Sequence, residues 1–78
     1  MIRVYVRLYG ELRELLDTRG SKGLMSLPDG STLETLNESL GISIKDVVVM
    51  LVNGVAVSGG TTLQEGDRVD VFPPLSGG

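Results

Sequence analysis

The chain is 78 residues long, with seven Lys or Arg against ten Asp or Glu for a net charge of −3, and it has neither cysteine nor histidine. Such a length allows one domain near the lower limit of independent folding, and the acidic balance argues against nucleic acid and for a protein partner with a basic groove. The two missing residue types exclude a disulfide framework, a thiolate nucleophile, a zinc ribbon and an imidazole base, so any reactive group has to be a carboxylate, a hydroxyl, an amine or a chain terminus.

Ile2, Val4, Val6 and Leu8 alternate with Arg3, Tyr5, Arg7 and Tyr9, the period of two expected of a strand with one buried face. Met1 leads straight into this pattern, so no signal peptide is expected and the chain reads as soluble and cytoplasmic. Gly10 ends the strand. Leu12, Leu15 and Leu16 then recur at helical spacing among Glu11, Arg13, Glu14 and Asp17, predicting a short amphipathic helix or turn. A polar loop over residues 18–23 leads into a short strand over 24–27, stopped by the turn signal Pro28-Asp29-Gly30. The main helix is predicted over 31–40, with Ser31 as N-cap and Glu34 completing a capping box. Leu33, Leu36 and Leu40 share one face of it, and Gly41 is the expected stop.

Residues 47–52 are uninterruptedly apolar, which predicts a strand covered on both faces or lying at an interface. The run is far shorter than the ~20 residues of a membrane span. Asn53-Gly54 is the preferred type I′ hairpin turn, so residues 55–57 should return antiparallel. Ser58-Gly59-Gly60 is a second turn, and residues 62–67 read as one helical turn or a tight loop. The last strand covers 68–72, where Val69 and Val71 alternate with Arg68, Asp70 and Phe72. Gly10, Gly54, Gly59, Gly60 and Gly66 all read as turn residues. About five strands and one main helix in this order predict an α+β fold, a β-grasp roll with the helix packed across one face of a mixed sheet. In that roll the first and last strands lie parallel in the centre. Residues 1–74 form the folded domain in this reading, and 75–78 a flexible Gly-Gly tail.

The chain ends Phe72-Pro73-Pro74-Leu75-Ser76-Gly77-Gly78. Two prolines directly after a strand remove two N–H donors, end the ladder and favour an extended exit. The four residues beyond them reach about 13 Å when extended. Gly77 and Gly78 have no Cβ and fit a channel too narrow for any larger residue. A frayed end would explain Gly-Gly alone, but not the stiff Pro-Pro base or the apolar Leu75. The pattern is that of a projecting arm with an unhindered carboxylate at its tip, built for insertion into another protein.

These residues carry a resemblance. Leu63-Gln64-Glu65-Gly66-Asp67-Arg68-Val69 followed by residues 72–78 resembles the C-terminal half of the MoaD-like family, the small subunits of molybdopterin synthase. That family typically reads L-x-[DE]-G-D-x-V and then F-P-P-[VL]-[AST]-G-G. Val52-Asn53-Gly54 also matches, as does the opening run over residues 4–15, so the likeness spans essentially the whole chain. Leu75 stands where many members have Val, and the stretch from Leu40 to Val47 is short for the family.

The resemblance implies a ubiquitin-like sulfur carrier that binds no cofactor or metal of its own and is not itself an enzyme. It implies that an E1-type, MoeB/ThiF-like partner uses ATP to adenylate Gly78, that sulfur displaces AMP, and that the resulting thiocarboxylate serves a MoaE-like large subunit. Two related readings stay beside it. ThiS-type carriers for thiamine thiazole share the fold and the Gly-Gly end but usually lack Phe-Pro-Pro, and a ubiquitin-like modifier would join Gly78 to lysines of target proteins.

Pro73, Pro74, Leu75 and Ser76 are candidates for partner contact along the arm. Tyr9 and Phe72 fall on neighbouring strands beside it, where they suit either a docking surface or ordinary cross-strand packing. Arg3, Arg7 and Arg68 read as a solvated sheet face rather than partner ion pairs. Asp67 and Asp70 do not make a metal site.

Overall fold

The computed structural model describes residues 1–13, 23–43 and 49–74. The alternation at the start of the chain becomes strand β1 (Ile2–Leu8), with Val4, Val6 and Leu8 buried and Arg3, Tyr5 and Arg7 exposed. A single 3₁₀ turn (Gly10–Leu12) follows and buries Leu12. Leu15 and Leu16, predicted to continue it, lie outside the described residues, as does the loop over 18–22. Strand β2 (Leu24–Leu27), helix α1 (Leu33–Leu40), the hairpin β3 (Val49–Val52) with β4 (Val55–Ala56), and strand β5 (Arg68–Phe72) complete the order.

The five strands form one sheet in the order β2-β1-β5-β3-β4. β1 and β5 are parallel, while β1 with β2, β3 with β5 and β3 with β4 are antiparallel. This is the β-grasp roll expected from the sequence, with the first and last strands side by side. Val4, Val6, Leu8, Leu27, Met50, Val69 and Val71 supply the sheet's half of the core, and Leu33, Leu36 and Leu40 of α1 supply the helix's half. Leu33 and Leu36 are fully buried; each such side chain contributes roughly 1.5–3 kcal/mol by leaving water. No helix among the described residues is long and apolar enough to cross a membrane.

Two turns match their sequence signals directly. Asn53 and Gly54 both have positive φ, 52° and 85°, as a type I′ turn requires. Gly41 caps α1 in the left-handed conformation, its N–H donating to the carbonyls of Asn37 and Glu38. Residues 62–67 are a tight loop rather than a helical turn, tied down by a bridge between Thr32 and Thr62. The predicted return strand is shorter than expected, because Val57 lies beyond β4. The apolar run is not covered on both faces over its described part: Met50 is buried, but Val49 is exposed on the face away from the helix. Residues 47 and 48 of that run lie outside the described residues.

The helix start differs from expectation by one residue. Thr32, not Ser31, is the N-cap, and its hydroxyl accepts from the N–H of Thr35 while the Thr35 hydroxyl accepts from the N–H of Thr32. The partner in the capping box is therefore Thr35, not Glu34. Ser31 instead donates its hydroxyl to the carbonyl of Pro28 at 2.6 Å. The reason is tertiary. The N–H groups of Leu33 and Glu34 donate to the carbonyls of Thr61 and Gly59, at 3.1 and 3.0 Å, so the 59–62 loop fixes where the first turn begins. Together with the Thr32 hydroxyl, that loop satisfies the donors a helix start leaves open. Thr32→Ala is accordingly expected to lower stability by about 1 kcal/mol in urea denaturation, and Glu34→Ala by half of that or less; the reverse order would restore the sequence-based cap.

Candidate functional site

The helix covers one face of the sheet and leaves the other open. Strand pleating puts Arg3, Tyr5 and Arg7 of β1 on that open face, with Arg68, Asp70 and Phe72 of β5 and Val49 and Leu51 of β3. The register places Arg7 opposite Asp70, Asp70 opposite Leu51, and Phe72 opposite Val49. Tyr5 is 56% exposed, Leu24 41% and Val49 39%, so the face is apolar in patches, with Arg3, Arg7 and Arg68 on its inner strands β1 and β5. Arg3, read from the sequence as solvated, is exposed but also paired: Glu65 accepts from its backbone N–H at 2.8 Å and lies 3.5 Å from its Nε.

Tyr9 stands one residue past β1, and its N–H extends the parallel ladder to the carbonyl of Val71 at 3.1 Å. Its ring stacks on Phe72 with centroids 4.2 Å apart and planes 12° from parallel. The stack is anchored at its polar end, where the Tyr9 hydroxyl donates to Asp70 Oδ1 at 3.0 Å. The guanidinium of Arg7 beside them is held above its ordinary pKa, first by its side-chain hydrogen bond and charge interaction with Tyr9 and after these by the charge of Asp70. Tyr9 and Phe72 thus pack on each other across strands, as one of the two sequence readings has it, and both remain half-exposed on the open face. Pro73 and Pro74 follow at the end of β5, Pro73 half-buried against Gly10 and Pro74 exposed. Leu75, Ser76, Gly77 and Gly78 lie outside the described residues.

Sequence reasoning missed two members of this cluster. It set Asp70 aside when it rejected a metal site, yet the parallel register aligns Asp70 with Arg7 and brings it to Tyr9. Matching the two alternating strands in register would have found it. Gly10 was read only as a turn residue; its contact with Pro73 crosses nearly the whole chain and leaves no local signal. The polar groups of the cluster, the Tyr9 hydroxyl and the Asp70 carboxylate, are engaged with each other. What it provides is a platform with the last strand leaving from its middle.

Three comparisons bear on this arrangement. The model of the ThiS family matches residues 6–78. Among solved structures, a Pyrococcus furiosus protein described as a molybdopterin converting factor, subunit 1, superposes with a TM-score of 0.74 at 26% identity, over 96% of this chain and 100% of that one. SAMP1 from Haloferax volcanii gives a TM-score of 0.73 at 23% identity, over 97% of this chain and 99% of that one. The solution structure of the Haloferax volcanii HVO 2177 protein gives 0.72 at 24%, over 99% and 87%. No curated protein sequence matches the chain. A double-mutant cycle with Tyr9→Leu and Phe72→Leu, followed by urea denaturation, is expected to return a coupling of about 1 kcal/mol for the stacked rings; strictly additive losses would mean that the rings contribute buried area alone.

Proposed function

The chain belongs to the ThiS family, and from that premise we propose that it carries sulfur as a thiocarboxylate on Gly78 and serves as the small subunit of a molybdopterin synthase. The family is one of ubiquitin-like β-grasp carriers, small proteins that are in general not catalysts themselves and work with E1-like enzymes and partner subunits. The observation that carries the reading for this chain is the root of the tail. Central strand β5 hands the chain through Phe72 and Pro73 onto the rim of an open, partly apolar face. Residues 1–74 act in this reading as a rigid handle, and residues 75–78 as the arm. The likeness to the Pyrococcus furiosus protein and the Phe72-Pro73-Pro74 run support the pterin pathway over the thiazole pathway.

The chemistry asks little of this chain's side chains. A carboxylate oxygen of Gly78 attacks the α-phosphorus of ATP in a MoeB/ThiF-like enzyme and expels pyrophosphate, which converts a poor leaving group on the acyl carbon into AMP. A persulfide on the partner side attacks that carbon and expels AMP. A thiol then attacks the partner enzyme's sulfur in the resulting acyl disulfide, breaking its S–S bond and forming a new disulfide with that sulfur, and the thiocarboxylate is left on Gly78, ready for a MoaE-like large subunit. The partners supply ATP, base and charge stabilisation; the chain supplies a terminus that enters a narrow site because glycine has no Cβ. A chain without Cys has no thiol of its own to intercept the acyl group.

Incubation with such an adenylating enzyme, ATP and a persulfide donor is expected to raise the intact mass by the difference between one sulfur and one oxygen. Deleting Gly77 and Gly78 is expected to abolish the shift while the thermal midpoint stays unchanged. An unshifted full-length chain contradicts the carrier reading, and isopeptide-linked ladders formed in its place would assign the chain to protein modification.

A further inference from the structure

Among the glycines with positive φ, two have a close neighbour: a Cβ on Gly23 (φ +88°) would stand 2.8 Å from the carbonyl oxygen of Val6 in β1, and one on Gly10 would meet Pro73 at the tail root. Gly30, Gly41, Gly54 and Gly66 also have positive φ, but a Cβ built on any of them meets nothing within 4 Å. Their backbone conformation alone accounts for glycine. At Gly10, φ is +58° and a Cβ would stand 2.8 Å from Cγ of Pro73 and 3.6 Å from its Cδ. The first distance lies well inside the 3.5–4.0 Å optimum for two carbons. Glycine is therefore demanded twice here, by the turn and by the proline ring lying against it. The preceding residue grips the same place: Tyr9 stacks on Phe72, and its N–H bonds the carbonyl of Val71. Tyr9 and Gly10 thus hold Phe72 and Pro73 in succession at the point where the chain leaves the sheet.

We propose that Gly10 is a positioning residue for the chemistry at Gly78, acting through Pro73 to set the direction in which the tail leaves the domain. The inference rests on the carrier reading above. Pro73 cannot sidestep an added methyl by turning its own φ, which the ring fixes. Displacement of the ring has to be taken up by the Phe72–Pro73 junction and passed down a stiff Pro-Pro base. An error in direction there shifts the point from which residues 75–78 have to reach the reacting site of the docked enzyme, and misplacement by about 1 Å can cost a reaction up to about 100-fold. In this reading docking of the domain is spread over the open sheet face, and a methyl at Gly10 alters only its edge beside Pro73. The defect therefore falls on kcat of adenylation and not on KM.

The test measures ATP-dependent adenylation of the full chain by a MoeB/ThiF-like enzyme, with Gly10→Ala introduced alone and in a Pro73→Ala background. Gly10→Asn is run in parallel, because Asn tolerates a left-handed backbone better and still carries a Cβ; it keeps the test valid if the alanine variant does not fold. Amide fingerprint spectra establish folding. In the Pro73-containing chain kcat is expected to fall about tenfold or more with KM within about twofold. In the Pro73→Ala background the same change is expected to alter kcat by less than about twofold, although its effect on the thermal midpoint persists in both. An unchanged kcat in the folded variants, or an equal loss in the two backgrounds, overturns the proposal while leaving the carrier reading standing. If the unsubstituted chain is not adenylated at all, both fall together.

Discussion

The parallel pairing of β1 with β5 is the constraint on which the rest of this molecule depends. It joins the two ends of the chain, setting Tyr5, Val6, Arg7 and Leu8 against Arg68, Val69, Asp70 and Val71. A parallel pair needs a crossover, and here that crossover contains β2, α1 and the β3–β4 hairpin. The pairing also decides which side chains meet. Val4, Val6, Val69 and Val71 fall on the helix side and are 5% exposed or less. One residue further along each strand, the open face receives Arg7 and Asp70, and beyond the strand end Tyr9 meets Phe72. A slip of one residue would turn both apolar rows to solvent, which is why the register is firmly specified.

The same pairing puts the tail root where it is. Because β5 is the middle strand, the chain leaves from the centre of the sheet, between Tyr9–Gly10 on one side and Val49 on the other. An edge strand would have given the arm a support on one side only. The 63–67 loop is tied in from both directions: Glu65 holds the N–H of Arg3, and Asp67 accepts from the side chain of Asn53 and from the N–H of Gln64. The side chain of Asn53 in turn accepts from the N–H of Arg68, so the hairpin turn and the start of β5 are locked together. The start of the last strand is thus fixed by polar contacts and its end by aromatic and proline packing.

The elements legible in the sequence were those whose cause is local. The alternation of Ile2, Val4, Val6 and Leu8, the Asn53-Gly54 turn and the Gly41 stop each follow from backbone geometry within a few residues. The β-grasp class, with the first and last strands parallel in the centre, followed once these were strung together, and the resemblance over the whole chain pointed to the same fold. What escaped was non-local. Ser31 is by type the better cap residue, and the choice of Thr32 was made by the carbonyls of Gly59 and Thr61. Asn37 gave no apolar signal, yet it is buried with its amide donating to the sulfur of Met50 at 3.4 Å. Gly10 and Asp70 gain their roles only from residues more than sixty positions away.

For the site, the sequence was clearer about the arm than about its support. Gly77 and Gly78 announce themselves by composition, and the prolines by their position after a strand. In the proposed function a handle for such an arm needs no Cys and no His, which gives the composition a positive meaning: there the reactive group is the backbone terminus. The account therefore holds that the open sheet face and the tail root form the working surface, and that the helix face is support. Titrating the ¹⁵N-labelled chain with a MoeB/ThiF-like adenylating enzyme and following amide shifts tests this most directly. The account predicts changes gathered at Tyr5, Arg7, Tyr9, Gly10, Val49, Asp70 and Phe72; changes gathered on the exposed side of α1, at Glu34 and Glu38, with the open face silent, would contradict it.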